Sequence, residues 1–165
     1  MYDDGLQSSI DVPFQFVLRP MSLPADLRPH WRIAVTLLIL QVCCRGGRSH
    51  FDRLHALHWA IRNRDAQQVF LEALSGFRVP DEAIIRREPW VNRAIDLAQG
   101  EQLVVVHNGT VALTAKGIAA ALELNADQTL LRAEKEFLTR VKRLVTETRI
   151  DELLSGGHFL GSENP

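Results

Sequence analysis

The side chains with the most chemical potential in this 165-residue chain are a group of histidines, two adjacent cysteines and a run of arginines. His55 and His58 stand at i, i+3, a spacing that can present two imidazoles to one metal ion. His50 lies just upstream, and Cys43-Cys44 precedes all three. No CxxC or HExxH pattern accompanies them, and a zinc site needs four placed ligands, or three with a water. The expectation is therefore no metal, with these imidazoles and thiols in satisfied structural roles. Neither a GxxxxGKS/T or GxGxxG phosphate loop nor a GxSxG elbow occurs, so the expectation is also no enzyme and no cofactor.

Arginine is unevenly spread. Residues 28–64 hold Arg28, Arg32, Arg45, Arg48, Arg53, Arg62 and Arg64 against Asp52 alone, whereas residues 65–127 carry five basic and nine acidic side chains. One reading sets the basic segment against DNA phosphate or an acidic partner and the acidic segment against a basic one. The other pairs the two segments with each other on solvated faces. The chain as a whole is nearly neutral, with 19 basic and 20 acidic residues, which argues against wholesale adhesion to nucleic acid or an anionic membrane.

With 46% hydrophobic and 24% charged residues, the composition is that of one globular domain. At this size folding buries about 70% of the surface, so no disulfide or metal staple is needed. Two neighbouring cysteines make no disulfide framework, which points to a reducing, cytoplasmic setting. Asp3, Asp4, Asp11 and Asp26 against Arg19 are the wrong charge for a signal peptide. The most apolar run, IAVTLLIL at residues 33–40, falls short of the ~20 residues of a membrane span. It reads as a buried central helix.

Along the chain, Pro13, Pro20 and Pro24 make residues 1–26 an extended arm. Phe14, Phe16 and Leu18 alternate there as a short strand that either pins the arm or waits for a partner. A first helix starts near residues 26–29 and stops at Gly46-Gly47. Ser49 with Asp52 resembles a capping box for the second helix, Asp65 caps a third, and residues 83–85 form a short strand. Pro89 opens a helix that ends at Gly100. Residues 103–107 and 110–113 form a hairpin across Asn108-Gly109, the strongest local hairpin signal. Thr114 caps a helix to about residue 124. Asp127 starts a last helix to residue 154 that would be ~40 Å long, with residues 157–165 as a flexible tail.

The segment PWVNRAIDLAQGEQLVVVHNGTVALTAKGIAA, residues 89–121, resembles the second half of a winged-helix domain: a helix, a hairpin wing, then Leu113-Thr114-Ala115-Lys116-Gly117 leading into the next helix. The resemblance implies a mainly α fold with a small β-hairpin. Its organisation would be an arm at 1–26, a winged-helix body at 27–124 and a long C-terminal helix at 125–156. The stretch LRPHWRIAVTLLILQVCCRGGRSHFDRLHALHWAI, residues 27–61, is similar to the middle component of bacterial three-component defence systems. In those systems a small winged-helix protein joins an SMC/Rad50-like ATPase to an effector subunit.

Two functional classes follow. The resemblance implies a non-enzymatic accessory subunit that links ATPase and effector in an anti-phage or anti-plasmid complex, with a DNA contact allowed. The alternative is a homodimeric winged-helix transcription regulator on double-stranded DNA, dimerising through residues 127–154. For either, Arg45, Arg48, Arg53, Arg62 and Arg64 are candidates for DNA or partner binding. So are Arg86, Arg87, Trp90, Asn92 and Arg93 around the helix that precedes the hairpin. The hairpin tip carries no lysine or arginine, a thin footprint for a duplex reader. The last helix offers Leu130, Phe137, Leu138, Val141, Leu144 and Val145 as a stripe for a partner helix. Trp31, Trp59 and Trp90 are candidate interface anchors or core residues.

Overall fold

The structure, a computed structural model, describes residues 28–76, 85–153 and 159–160. Among these the chain is mainly helical, with seven α-helices and a three-stranded antiparallel sheet. The first helix, α1 (Pro29–Cys43), is apolar on nearly every side and forms the core's axis. Val35 and residues 37–40 are fully or almost fully buried, as expected of a helix with no polar face. Around it pack α2 (Phe51–Ile61), α4 (Pro89–Gly100), α5 (Ala115–Ala126) and α6 (Arg132–Val141). No described helix is long and apolar enough to cross a membrane.

The hairpin forms where the sequence places it. β3 (Val104–His107) pairs with β4 (Thr110–Leu113), and Asn108 (φ 48°) and Gly109 (φ 73°) take the two left-handed positions of a type I′ turn. Thr114 caps α5, its hydroxyl accepting from the Gly117 N–H at 3.0 Å. Gly117 then lets α5 lie against the chain entering β3: a Cβ there would stand 1.9 Å from the Leu103 carbonyl oxygen.

Several expectations are corrected. Residues 48–50 do not begin a helix; they form β1 (Arg48–His50), which pairs antiparallel with β4 to give the order β1-β4-β3. Ser49 is a buried ladder residue opposite Val111, and His50 takes the N-cap of α2 without a side-chain cap bond. The cap of α3 (Arg64–Leu74) is Asn63, not Asp65: Asn63 is extended and its Oδ1 accepts from the Ala66 N–H at 2.8 Å. Asn63→Ala should therefore cost about 1 kcal/mol in urea unfolding. Asp65→Ala, which loses only a favourable charge in the first turn, should cost about half of that.

The single helix over 127–154 is absent. Asp127 instead closes a turn, its Oδ1 accepting from the Thr129 hydroxyl (2.6 Å), the Thr129 N–H (2.7 Å) and the Leu130 N–H (3.3 Å). The Thr129 bonds hold its carboxyl below the usual carboxylate range. Leu131 at φ 50° breaks the path, α6 ends at Val141, and α7 (Glu147–Leu153) follows a turn. This bending lets Phe137, Leu138, Val141, Val145 and Ile150 all reach the one core, which a straight rod could not do.

Residues 1–27, with the arm, lie outside the described residues. Of the strand expected at 83–85, Ile85 is described: β2 (Ile85–Arg86) pairs parallel with β5 (Phe159–Leu160). Part of the expected flexible tail is thus held by a backbone ladder.

Candidate interaction surface

The junction into α4 is fixed by His55, which is 2% exposed. Its Nδ1 accepts from the Glu88 N–H at 3.2 Å. The ring proton therefore sits on Nε2, which donates to Asn92 Oδ1 at 2.9 Å. Burial pushes the His55 pKa down, with Arg87 adding to it, while the Asn92 bond works the other way. The Glu88 carboxylate, at the N-cap of α4, takes Arg32 Nη1 at 2.8 Å and Arg62 Nη1 at 3.3 Å. Arg87 pairs with Asp52 across the same junction. Beneath it, the buried Thr36 hydroxyl donates to the Arg32 carbonyl (2.8 Å) and accepts from His58 Nε2–H (2.9 Å).

The candidate cations therefore divide. Arg53 is corrected from a surface cation to a buried one: it is 7% exposed, and its Nη2 donates to the carbonyls of Cys43 and Val145. Those carbonyls close the end of α1 and the turn after α6, so Arg53 ties two segments together. Arg62 and Arg87 are exposed but ion-paired. Arg45, Arg48, Arg64 and Arg93 are exposed and make no ion pair with a described acid. The backbone of Arg86 lies in β2. Asn92 serves His55.

The proposed partner stripe is corrected as well. Phe137, Leu138, Val141 and Val145 are buried in the chain's own core, and only Leu130 and Leu144 face outward. The core takes the side chains because α6 packs on α1.

The apolar surface lies elsewhere. Trp90, at the start of α4, is 62% exposed, whereas Trp59 is buried and Trp31 donates to Glu134 at 3.0 Å. Leu97, seven residues after Trp90 and so on the same face, is 37% exposed, with Arg93 between them. Leu97 was missed in the sequence although its i, i+7 relation to Trp90 signals it. Val105 on β3 and Ile118 and Leu122 on α5 also stand outward.

Beside α4 a cleft of about 530 Å³ opens, lined by Phe51, Asp52, Arg87, Asn92, Ile150 and Asp151 among others. Cys43 supplies no thiolate: burial, with Cys44 adding to it, pushes its thiol up to about 12, and its Sγ–H donates to the Leu138 carbonyl. Comparison with family models, with curated proteins and with solved structures finds no match to this chain.

Proposed function

We propose that the chain is a winged-helix accessory subunit, with no catalytic chemistry of its own, that holds an SMC-like ATPase and an effector together in a bacterial defence complex. The winged-helix part is supported by the sheet order: β1, ahead of α2, closes on the returning strand β4, while α4 packs directly before the hairpin. The ATPase and the effector rest on the resemblance of residues 27–61.

The observation that carries the reading is the outward face of α4. A helix that reads a duplex presents cations to phosphate and polar groups to base edges. This one presents Trp90, Arg93 and Leu97, the residue types that anchor protein interfaces. The flanking Arg62 and Arg87 are already tied to Glu88 and Asp52. The alternative of a regulator dimerising through residues 127–154 has less support, because four of the six stripe residues are inside.

Co-expression with an ATPase encoded beside this chain tests the proposal. The two should co-purify, and the double substitution Trp90→Ala/Leu97→Ala should cut the recovered ATPase at least about tenfold while leaving the melting temperature unchanged. A monomer that ignores the ATPase, or a double variant that still captures it fully, would overturn the reading.

A further inference from the structure

Sharing Arg53 with the cleft beside α4, a recess of about 710 Å³ lies between the α1–β1 turn and the segment that follows α6. Three arginines line it, Arg45, Arg48 and Arg53, with Thr146, and no acid does among the described residues. Arg45 and Arg48 are exposed and make no ion pair among the described residues.

Arg53 is the unusual member. Among the described residues it is a buried cation with no carboxylate within ion-pairing distance and no acceptor for its Nε–H. A buried charge ordinarily sits against an opposite one, and a buried donor ordinarily has a partner. The only bonds described for it are those to the Cys43 and Val145 carbonyls, which hold the guanidinium in place. It is thus pre-organised, and little side-chain entropy remains to be lost when a ligand arrives. Thr146 Oγ1 accepts from the Arg149 N–H at 3.2 Å and keeps its own proton to donate.

We propose that this recess is an oxyanion site that binds a phosphate group between Arg45, Arg48 and Arg53. Guanidinium forks match the paired oxygens of phosphate and carboxylate alike. Three cations with no acid among the described lining residues select the dianion over the monoanion. Lys142, near enough to act on the Cys43 thiol, adds to the positive field. The phosphate belongs either to a free phosphorylated compound or to a nucleic-acid backbone. The site stands independently of the assignment of the ATPase and effector.

Titration of the full chain with inorganic pyrophosphate, read by calorimetry and by the arginine Nε–H resonances, tests the site. The expected result is saturable binding with Kd below about 1 mM and a shifted Nε–H signal. Arg45→Ala/Arg48→Ala, both exposed and so compatible with an unchanged melt, should raise Kd at least about tenfold. Arg64→Ala, an exposed arginine outside the recess, should leave it unchanged. A 20-base-pair duplex then separates the sources. If it displaces pyrophosphate, and the double variant lowers its salt slope by about two, the phosphate is nucleic acid; if it does not compete, the ligand is a free phosphate compound. Absence of saturable binding, a double variant with the parent's affinity, or an equal loss in Arg64→Ala would overturn the proposal.

Discussion

Gly117→Ala should lower the unfolding free energy by at least about 3 kcal/mol and the melting temperature by roughly 10 °C. Alanine is ordinarily the better helix residue, by up to about 1 kcal/mol, so the expected sign is opposite to that of helix propensity. The reason is the Leu103 carbonyl: its oxygen would lie 1.9 Å and its carbon 2.9 Å from the new methyl group. That carbonyl cannot swing away freely, because it accepts from the Thr114 N–H at 3.0 Å. The methyl must therefore push α5 off the strand entrance, and with it the hairpin that α4 and α5 bracket. Gly100 supplies the control. A Cβ there meets nothing within 4 Å and its backbone is not left-handed, so Gly100→Ala should be neutral or slightly stabilising in the same urea titration. Equal stability of the two variants would mean that α5 does not make this close approach.

Features that depend on neighbouring residues were legible. The Asn108-Gly109 turn, the Thr114 cap and the buried α1 all follow from side chains within a few positions of one another. Features that depend on distant partners were not. β1 is three residues long, and its pairing partner lies some 60 residues further on, so no periodicity within the strand can announce it. The stripe over 127–154 has the same spacing whether its helix is straight or broken. What breaks it is the Asp127 turn, the left-handed Leu131 and the hold of Arg53 on the Val145 carbonyl.

The arginine run shows the same limit at the site. Arg32 and Arg62 meet Glu88, which is the cross-segment pairing that the charge distribution allowed. Arg53, between them in sequence, meets backbone carbonyls instead. A guanidinium's fate depends on which oxygen the fold delivers to it. Local charge density therefore located the basic region and could not say which members stay exposed without an ion pair to a described acid: Arg45, Arg48 and Arg64 do. The α4 face was half legible. Trp90 stood out by its type, whereas Leu97 is one apolar residue among several in the helix until burial separates it from Ile95 and Ala98.

Mild acid should destabilise the protein at a pH where most carboxylates are still ionised. His58 is fully buried, and burial, with Arg32 and His55 adding to it, pushes its pKa down to about 3. Its Nε2–H is held by Thr36, and its Nδ1 has no partner in the described structure, so a second proton would find no acceptor. In the unfolded chain the same ring titrates near 6.5. Above about pH 6.5 both states hold it neutral, and it adds no pH dependence. Below that, the unfolded chain takes up a proton that the folded one refuses. Stability then falls by about 1.4 kcal/mol per pH unit until the folded pKa is reached. Between pH 6.5 and 5 this amounts to roughly 2 kcal/mol from His58. His55, lowered chiefly by burial, adds to it with the same sign. Urea midpoints at pH 7.5 and 5 measure the drop. His58→Gln, which keeps an N–H for Thr36, should flatten the slope by nearly one proton. A variant that keeps the parent's pH dependence would show that His58 is not the group that resists protonation.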